Sequence, residues 1–453
     1  MTEARGIARR RAGGSLPRST ARWLAAGLVL LAAGDGLAQS AEVALPWKTN
    51  PPIVTVRKEL YRKHTRPREA PLASVTYVGP NLERREIQAE EIKDDVGDNV
   101  RARWSTDNGR TWTPFVPQQR SNQVDYGGVT VWEGEGPSVF NPRAGVLVQS
   151  WLRQIVVKGL YHCFTYSRWS RDLGRTWSPP QQLRYEAGAA FDPREPKKAS
   201  FLDHNEGYFG SNLLVRSDGT LVHALAHANA PGDPRNNQRP WRMGSILFLG
   251  RWNAVRKDYD WQPGARVEIS PEHSARGLME PEVAELAGGR LFVVWRGSTH
   301  GWDGSVAKLP GRKFFSVSSD GGRTLTPPAV WKYDDGTDFY SPSSYHRMLR
   351  HSVSGKLYWL GNVSSTPPSG NSPRYPLVIA ELDEAKAALK KGTVTAVDDR
   401  RPGQGSGVQF SNFSLLEDRE THVLELHLTT YGQEPDPADW ATADNYKYFL
   451  KLQ

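Results

Sequence analysis

Three copies of one eight-residue turn constrain this chain more than any other feature. Ser105-Thr106-Asp107-Asn108-Gly109-Arg110-Thr111-Trp112 recurs as Ser170-Arg171-Asp172-Leu173-Gly174-Arg175-Thr176-Trp177 and as Ser318-Ser319-Asp320-Gly321-Gly322-Arg323-Thr324-Leu325. The shared pattern is S-x-D-x-G-x-T followed by Trp or Leu. Each copy follows a strand-like run (Val100–Trp104, Tyr161–Trp169, Lys313–Val317) and precedes a proline. The chemistry suits a β-turn: the Asp accepts bonds from turn amides, the Gly supplies a positive φ, and the aromatic packs back under the turn. Asp258-Tyr259-Asp260-Trp261 reads as a degenerate fourth copy.

The spacing turns this motif into an architecture. Asp107 and Asp172 are 65 residues apart; Asp172 and Asp320 are 148 apart, two units of 74. Strand–turn–strand units recur at a similar interval: Gly136–Leu152, Ser211–Ala226, Glu280–Arg296, Ser343–Leu360 and Ser411–Leu428. A first unit around Leu72–Trp104 brings the number to six. Several short strands per 65–75 residues fit a four-stranded propeller blade. The chain is therefore expected to be all-β, a six-bladed β-propeller over residues 45–453, with one helix-like stretch at Leu382–Lys391. Composition agrees: 16 Trp, 42 Gly and 32 Pro in 453 residues favour strands and turns, because interior prolines break helices.

The N-terminus reads as a targeting segment. Arginines up to Arg22 precede an apolar run, Trp23–Gly34, and small residues follow it. That run is about half the ~20 residues of a spanning helix, which favours a cleaved signal peptide, residues 1–38, over a membrane anchor. Export to the periplasm or outside the cell is the expectation. The lone Cys163 excludes an internal disulfide framework. The first 38 residues hold +4 of the chain's net +9, so the remainder is only mildly basic, and nucleic acid is not an expected partner.

The repeated turns are similar to the Asp-boxes (BNR repeats) of the sialidase, or neuraminidase, superfamily, and the resemblance covers nearly all of the chain after residue 45. In that family the box aspartates are structural, which is the expectation for Asp107, Asp172 and Asp320. The resemblance also implies site residues. Glu280-Pro281-Glu282-Val283 through Arg296 resembles the strand–turn–strand in which a Glu polarises a catalytic Tyr and an Arg helps clamp the substrate carboxylate. Glu280 and Arg296 occupy those places. Arg68 and Arg374 match the other two clamp arginines, with Arg66 a competitor for the first. Guanidinium forks suit a planar carboxylate because they form paired, charge-assisted bonds.

Asp94 or Asp95, 26 and 27 residues beyond Arg68, matches the family's acid/base. A solvated acidic loop is the competing reading. The family's nucleophilic Tyr has no counterpart: its place reads Phe410-Ser411-Asn412-Phe413-Ser414, and a phenyl ring cannot attack an anomeric carbon. Tyr208, Tyr340, Tyr345 and Tyr431 are spare phenols near expected blade mouths. No zinc pattern, phosphate loop or dinucleotide fingerprint is present, so no cofactor is expected. The acidic run Asp334–Asp338 fits a turn at least as well as a calcium site.

The resemblance implies an exported, monomeric glycosidase acting on a terminal acidic sugar of a glycan. Two alternatives stay open. One is a polysaccharide lyase on uronic-acid glycans, which needs carboxylate neutralisation but no anomeric nucleophile. The other is a non-catalytic glycan-binding propeller.

Overall fold

A computed structural model describes residues 45–453, apart from 94–95, 119–121, 158–159, 228–242 and 302–303. The expected signal peptide and the candidates Asp94 and Asp95 lie outside the described residues. Six antiparallel sheets follow one another along the chain, each built from four main strands. The six inner strands are Ala70–Tyr77, Thr130–Asn141, Tyr208–Val215, Met279–Glu285, Arg347–Arg350 and Ser414–Glu417, blades one to six in order. Each inner strand contacts the next, and the sixth contacts the first, so the sheets close into a six-bladed propeller. The five strand–turn–strand units read from the sequence are the inner hairpins of blades two to six.

Closure uses a strand that the repeats do not reveal. Val54–Arg62 is the outermost strand of blade six and pairs antiparallel with Asn445–Leu452, Val54 opposite Leu452. Two sequence expectations need correction. Asp258–Trp261 is not a fourth turn but the start of the outer strand of blade three, Asp258–Val267. Leu382–Lys391 is not helical: it holds the end of strand Leu377–Asp383, a turn and the two-residue strand Ala388–Leu389. Its helical periodicity loses to a blade core, where Leu382 and Leu389 pack around Trp331 and Trp359.

The three S-x-D-x-G-x-T turns connect the third and fourth strands of blades one, two and four. In the first, Ser105 Oγ donates to Asp107 Oδ1 (2.8 Å) and accepts from Gly109 N (2.8 Å). Thr111 donates to the Asp107 carboxylate from its amide (2.8 Å) and its hydroxyl (2.5 Å). The Thr111 hydroxyl and amide bonds bring the Asp107 carboxyl down to about 2. Gly109 has φ 85°, a left-handed conformation that glycine adopts without a Cβ penalty. The same bonds recur around Asp172 and Asp320. These aspartates are satisfied within their own turns. Because strands alternate in direction, the turns lie at the blade end opposite the turn joining strands two and three.

Polar clamps join the blades. Asn212 of blade three donates to Val283 O (2.8 Å) and accepts from Val283 N (3.0 Å), supplying blade four with the ladder bonds its inner edge lacks. Beside it, Gly210 lets the two inner strands approach closely. A Cβ there would sit 2.3 Å from Ala224 O and 2.5 Å from Pro281 O. Both are backbone atoms, Ala224 O in the same blade and Pro281 O in the next, so Gly210→Ala displaces its own strand pair and the neighbouring blade. The expected cost is about 1–3 kcal/mol, as for overpacking a well-packed core. Gly392→Ala, with no atom within 4 Å of its Cβ, leaves stability unchanged. Urea unfolding of the two variants checks both.

Candidate active site

The start of blade four's inner strand, the end of its second strand and the start of its third lie side by side: Met279 pairs with Arg296, and Arg296 with Lys313. The first pairing is interrupted by a bulge between Met279 and Glu282. Within it Glu280 takes φ 43°, a conformation that costs a non-glycine residue about 1–3 kcal/mol. Bulges re-aim side chains. Here the Glu280 carboxylate meets the Arg296 guanidinium at 2.8 Å, and Ser211 Oγ holds the Glu280 carbonyl (3.2 Å).

Glu280 and Arg296 line a cavity of ≈ 180 Å³ together with Glu206, Tyr208, Cys163 and Gln154. At about 30 Å³ per water, this is room for a ligand the size of one sugar ring. Glu206 is the residue sequence reasoning missed. It lies just before the inner strand of blade three, in a loop braced by Asn205, whose side-chain oxygen accepts from the amides of Tyr185 (2.7 Å) and Glu186 (2.8 Å). Glu206 is 3% exposed, and its Oε1 is 2.6 Å from His162 Nδ1. Its Oε2 is buried and has no hydrogen-bond partner among the described residues. Burial pushes the Glu206 carboxyl up to about 7, against the opposing pull of His162. Burial would lower His162, yet its bond to Glu206 holds it above its ordinary value. The pair shares a proton near neutral pH. One signal was available: Glu206 precedes Glu280 by 74 residues, the blade repeat itself.

Lys313 is fully buried behind Arg296, donating to Ser344 O (2.5 Å) and Pro342 O (3.3 Å). Burial first, then Arg296 and Arg374, hold it well below the usual lysine range, with Glu280 opposing. The structure thus brings Glu280, Arg296 and Arg374 around Lys313. Arg374 donates to Gln409 Oε1 (2.8 Å), Asn371 O (3.1 Å) and Ser343 O (3.3 Å). Arg68 is not brought into this group. It is exposed at the entry to blade one, its amide bonded to Thr442 Oγ1 (2.8 Å), while Arg66 pairs with Glu69.

Phe410 is fully buried in the core shared by blades five and six, among Leu360, Ile379 and Leu426. Its ring therefore cannot stack on a sugar face, as a phenyl at the channel mouth would. Of the spare phenols, Tyr208 lines the cavity. Tyr345 receives a 3.4 Å bond from Arg347 and feels the charges of Glu282 and Glu280. Tyr340 lies under Arg312, and Tyr431 stacks on Trp440 and bonds Glu91. In the acidic run, Asp335 pairs with Lys391, and Asp338 with Arg312 and Lys332. Among the described residues no group of three or more His, Cys, Asp or Glu is placed to hold a metal.

No known sequence family matches the chain, and no curated protein is detectably similar to it in sequence. Solved structures do resemble it. One is a protein of unknown function from Dyadobacter fermentans (TM-score 0.55, 14% identity, covering 88% of this chain and 99% of that one). Another is a variant of the NanB sialidase from Streptococcus pneumoniae (TM-score 0.52, 10% identity, 84% and 68%). A third is a Hadza microbial sialidase (TM-score 0.50, 13% identity, 84% and 66%). The chain spans about two thirds of the length of these two sialidases. At such identities the likeness establishes the propeller fold.

The Glu206 shift has a stability consequence. A carboxyl raised from about 4.5 to about 7 on folding favours the native state while it is protonated. That contribution is complete below pH 4.5 and lost as pH rises through 7. Relative to Glu206→Gln, the wild type should lose on the order of 1–3 kcal/mol between pH 4.5 and 8, at 1.36 kcal/mol per unit. Paired urea titrations across that range measure it; parallel curves would contradict the shift.

Proposed function

We propose that this protein is an exported glycoside hydrolase that removes a terminal acidic sugar from a glycan. The observation that carries the reading is one sugar-sized cavity lined by two carboxyl groups in different electrostatic states. Glu206 holds a proton near neutral pH with His162, and Glu280 is ion-paired with Arg296. A buried carboxyl raised towards neutral pH beside an ion-paired one lets the two divide acid and base roles between them. Glu206 donates its proton to the departing glycosidic oxygen, in place of Asp94 or Asp95. The Glu280 carboxylate faces the positive charge that develops at the anomeric carbon, with the Tyr208 phenol alongside; a solvent water adds to that carbon and its released proton restores the Glu206 acid. Arg296 in the cavity wall offers a charged, forked donor to a substrate that brings its own negative charge. The fold-level likeness to sialidases supports the same class of substrate.

The signal-peptide reading of residues 1–38 puts that substrate outside the cytoplasm. Among the described residues no helix is long and apolar enough to cross a membrane.

Fluorogenic α-sialosides, β-glucuronides and neutral glycosides test the reading. The expected result is release from an acidic glycoside, declining as pH rises above about 7 when Glu206 loses its proton. Glu206→Gln and Glu280→Gln should each cost about 10²–10⁴ in kcat/KM, the range for losing general acid–base help. Near-ultraviolet absorbance from an unsaturated uronate product, without hydrolysis, establishes the lyase alternative. Binding without either product establishes the glycan-binding one.

A further inference from the structure

Lys313 is a fully buried amine whose hydrogen-bond partners are two backbone carbonyls. Strand register fixes Lys313 directly beside Arg296, and Arg374 and Glu280 are the other charged groups that act on Lys313. His346, fully buried, feels the charges of Lys313 and Arg296, and Arg276 feels that of Arg296. Among the described residues Glu280 is the carboxylate facing Lys313, and it is already paired with Arg296.

The hydrogen bonding of Lys313 accommodates two protonation states. Its nitrogen faces two carbonyl acceptors, Ser344 O and Pro342 O. A neutral amine has two N–H groups and satisfies both, with its lone pair left over; an ammonium satisfies the same two and has a third donor to spare. Burial and the neighbouring guanidinium groups disfavour the ammonium when no anion is bound. An anion arriving at Arg296 reverses the local field and stabilises it.

We propose that binding of an anionic ligand group at Arg296 is coupled to uptake of one proton by Lys313. The ligand stays a carboxylate. The proton comes from solvent and adds to the Lys313 lone pair, and no bond of the ligand changes. Lys313 acts through Arg296 as an electrostatic positioning residue and does not line the cavity. The coupling rests on the acidic-sugar reading and gives it a quantitative signature. While the pH lies above the free value and below the bound value, affinity falls about tenfold per pH unit. Glu206 and His162 also titrate beside the cavity, so their contribution must be separated.

The experiment is isothermal titration calorimetry of the full chain with N-acetylneuraminate and D-glucuronate between pH 6 and 9. Each titration is run in two buffers of different ionisation enthalpy, so that bound protons are counted. Wild type and Glu206→Gln should each take up about one proton. Lys313→Met, made in the Glu206→Gln background, should take up about one proton fewer than Glu206→Gln alone and lose the tenfold-per-unit slope. Binding without proton uptake in Glu206→Gln, or equal uptake when Lys313→Met is added to it, overturns the coupling and leaves the acidic-sugar reading standing. If Lys313→Met does not fold, the proton count in Glu206→Gln decides alone. If neither acid binds, the coupling is overturned together with the acidic-sugar reading, while hydrolysis of a neutral glycoside would still uphold the Glu206–Glu280 pair.

Discussion

The pairing of Val54–Arg62 with Asn445–Leu452 is the constraint on which the rest of the structure depends. It joins the two ends of the propeller in one sheet and fixes blade six against blade one. The closing strand also grips its neighbour: Arg62 donates to Leu72 O (2.6 Å) and Ala89 O (3.0 Å) of blade one, and Tyr61 donates to Glu86 (2.6 Å). A closed ring leaves each blade one position relative to its neighbours. Loops at the heads of the inner strands then converge, and residues far apart in sequence share one cavity. Glu206 from blade three meets Glu280 and Arg296 from blade four for this reason.

The two ends of the blades divide structural from chemical work. At one end the S-x-D-x-G-x-T turns satisfy their own aspartates, and clamps such as Ser217 on Glu285 and Ser352 on Glu417 join neighbouring blades. Carboxylates there are consumed by amides and hydroxyls. At the other end local regularity is given up. The inner strands of blades three and four shift register near their heads, and Glu280 is held in a strained backbone conformation. The clamp through Asn212 and the close approach at Gly210 keep that irregular end in place.

Burial separates the two carboxyl groups of the cavity chemically. Burial raises the Glu206 carboxyl against the pull of His162, while Glu280 is ion-paired with Arg296. Lys313, opposite Arg296 in the sheet, is the counterpart on the basic side, a lysine that desolvation drives towards its neutral amine. Such groups are stable only because the surrounding blades determine their positions.

The sequence by itself determined the six-fold repeat, the all-β fold and the inner hairpins, because turn chemistry and strand length are local and recur at the blade interval. It also marked Glu280, Arg296 and Arg374, which the fold places around Lys313. It misread Leu382–Lys391, where helical periodicity is overridden by packing between blades, and it did not foresee the closing strand, whose partner lies at the opposite end of the chain. Phe410 shows the same limit: its place in the chain suggested the channel mouth, but its side chain belongs to the core between two blades. Glu206, His162 and Lys313 owe their significance to burial and to neighbours on other strands. Only the tertiary structure decides those, because the protonation of a side chain depends on its surroundings in space and not on its neighbours in sequence.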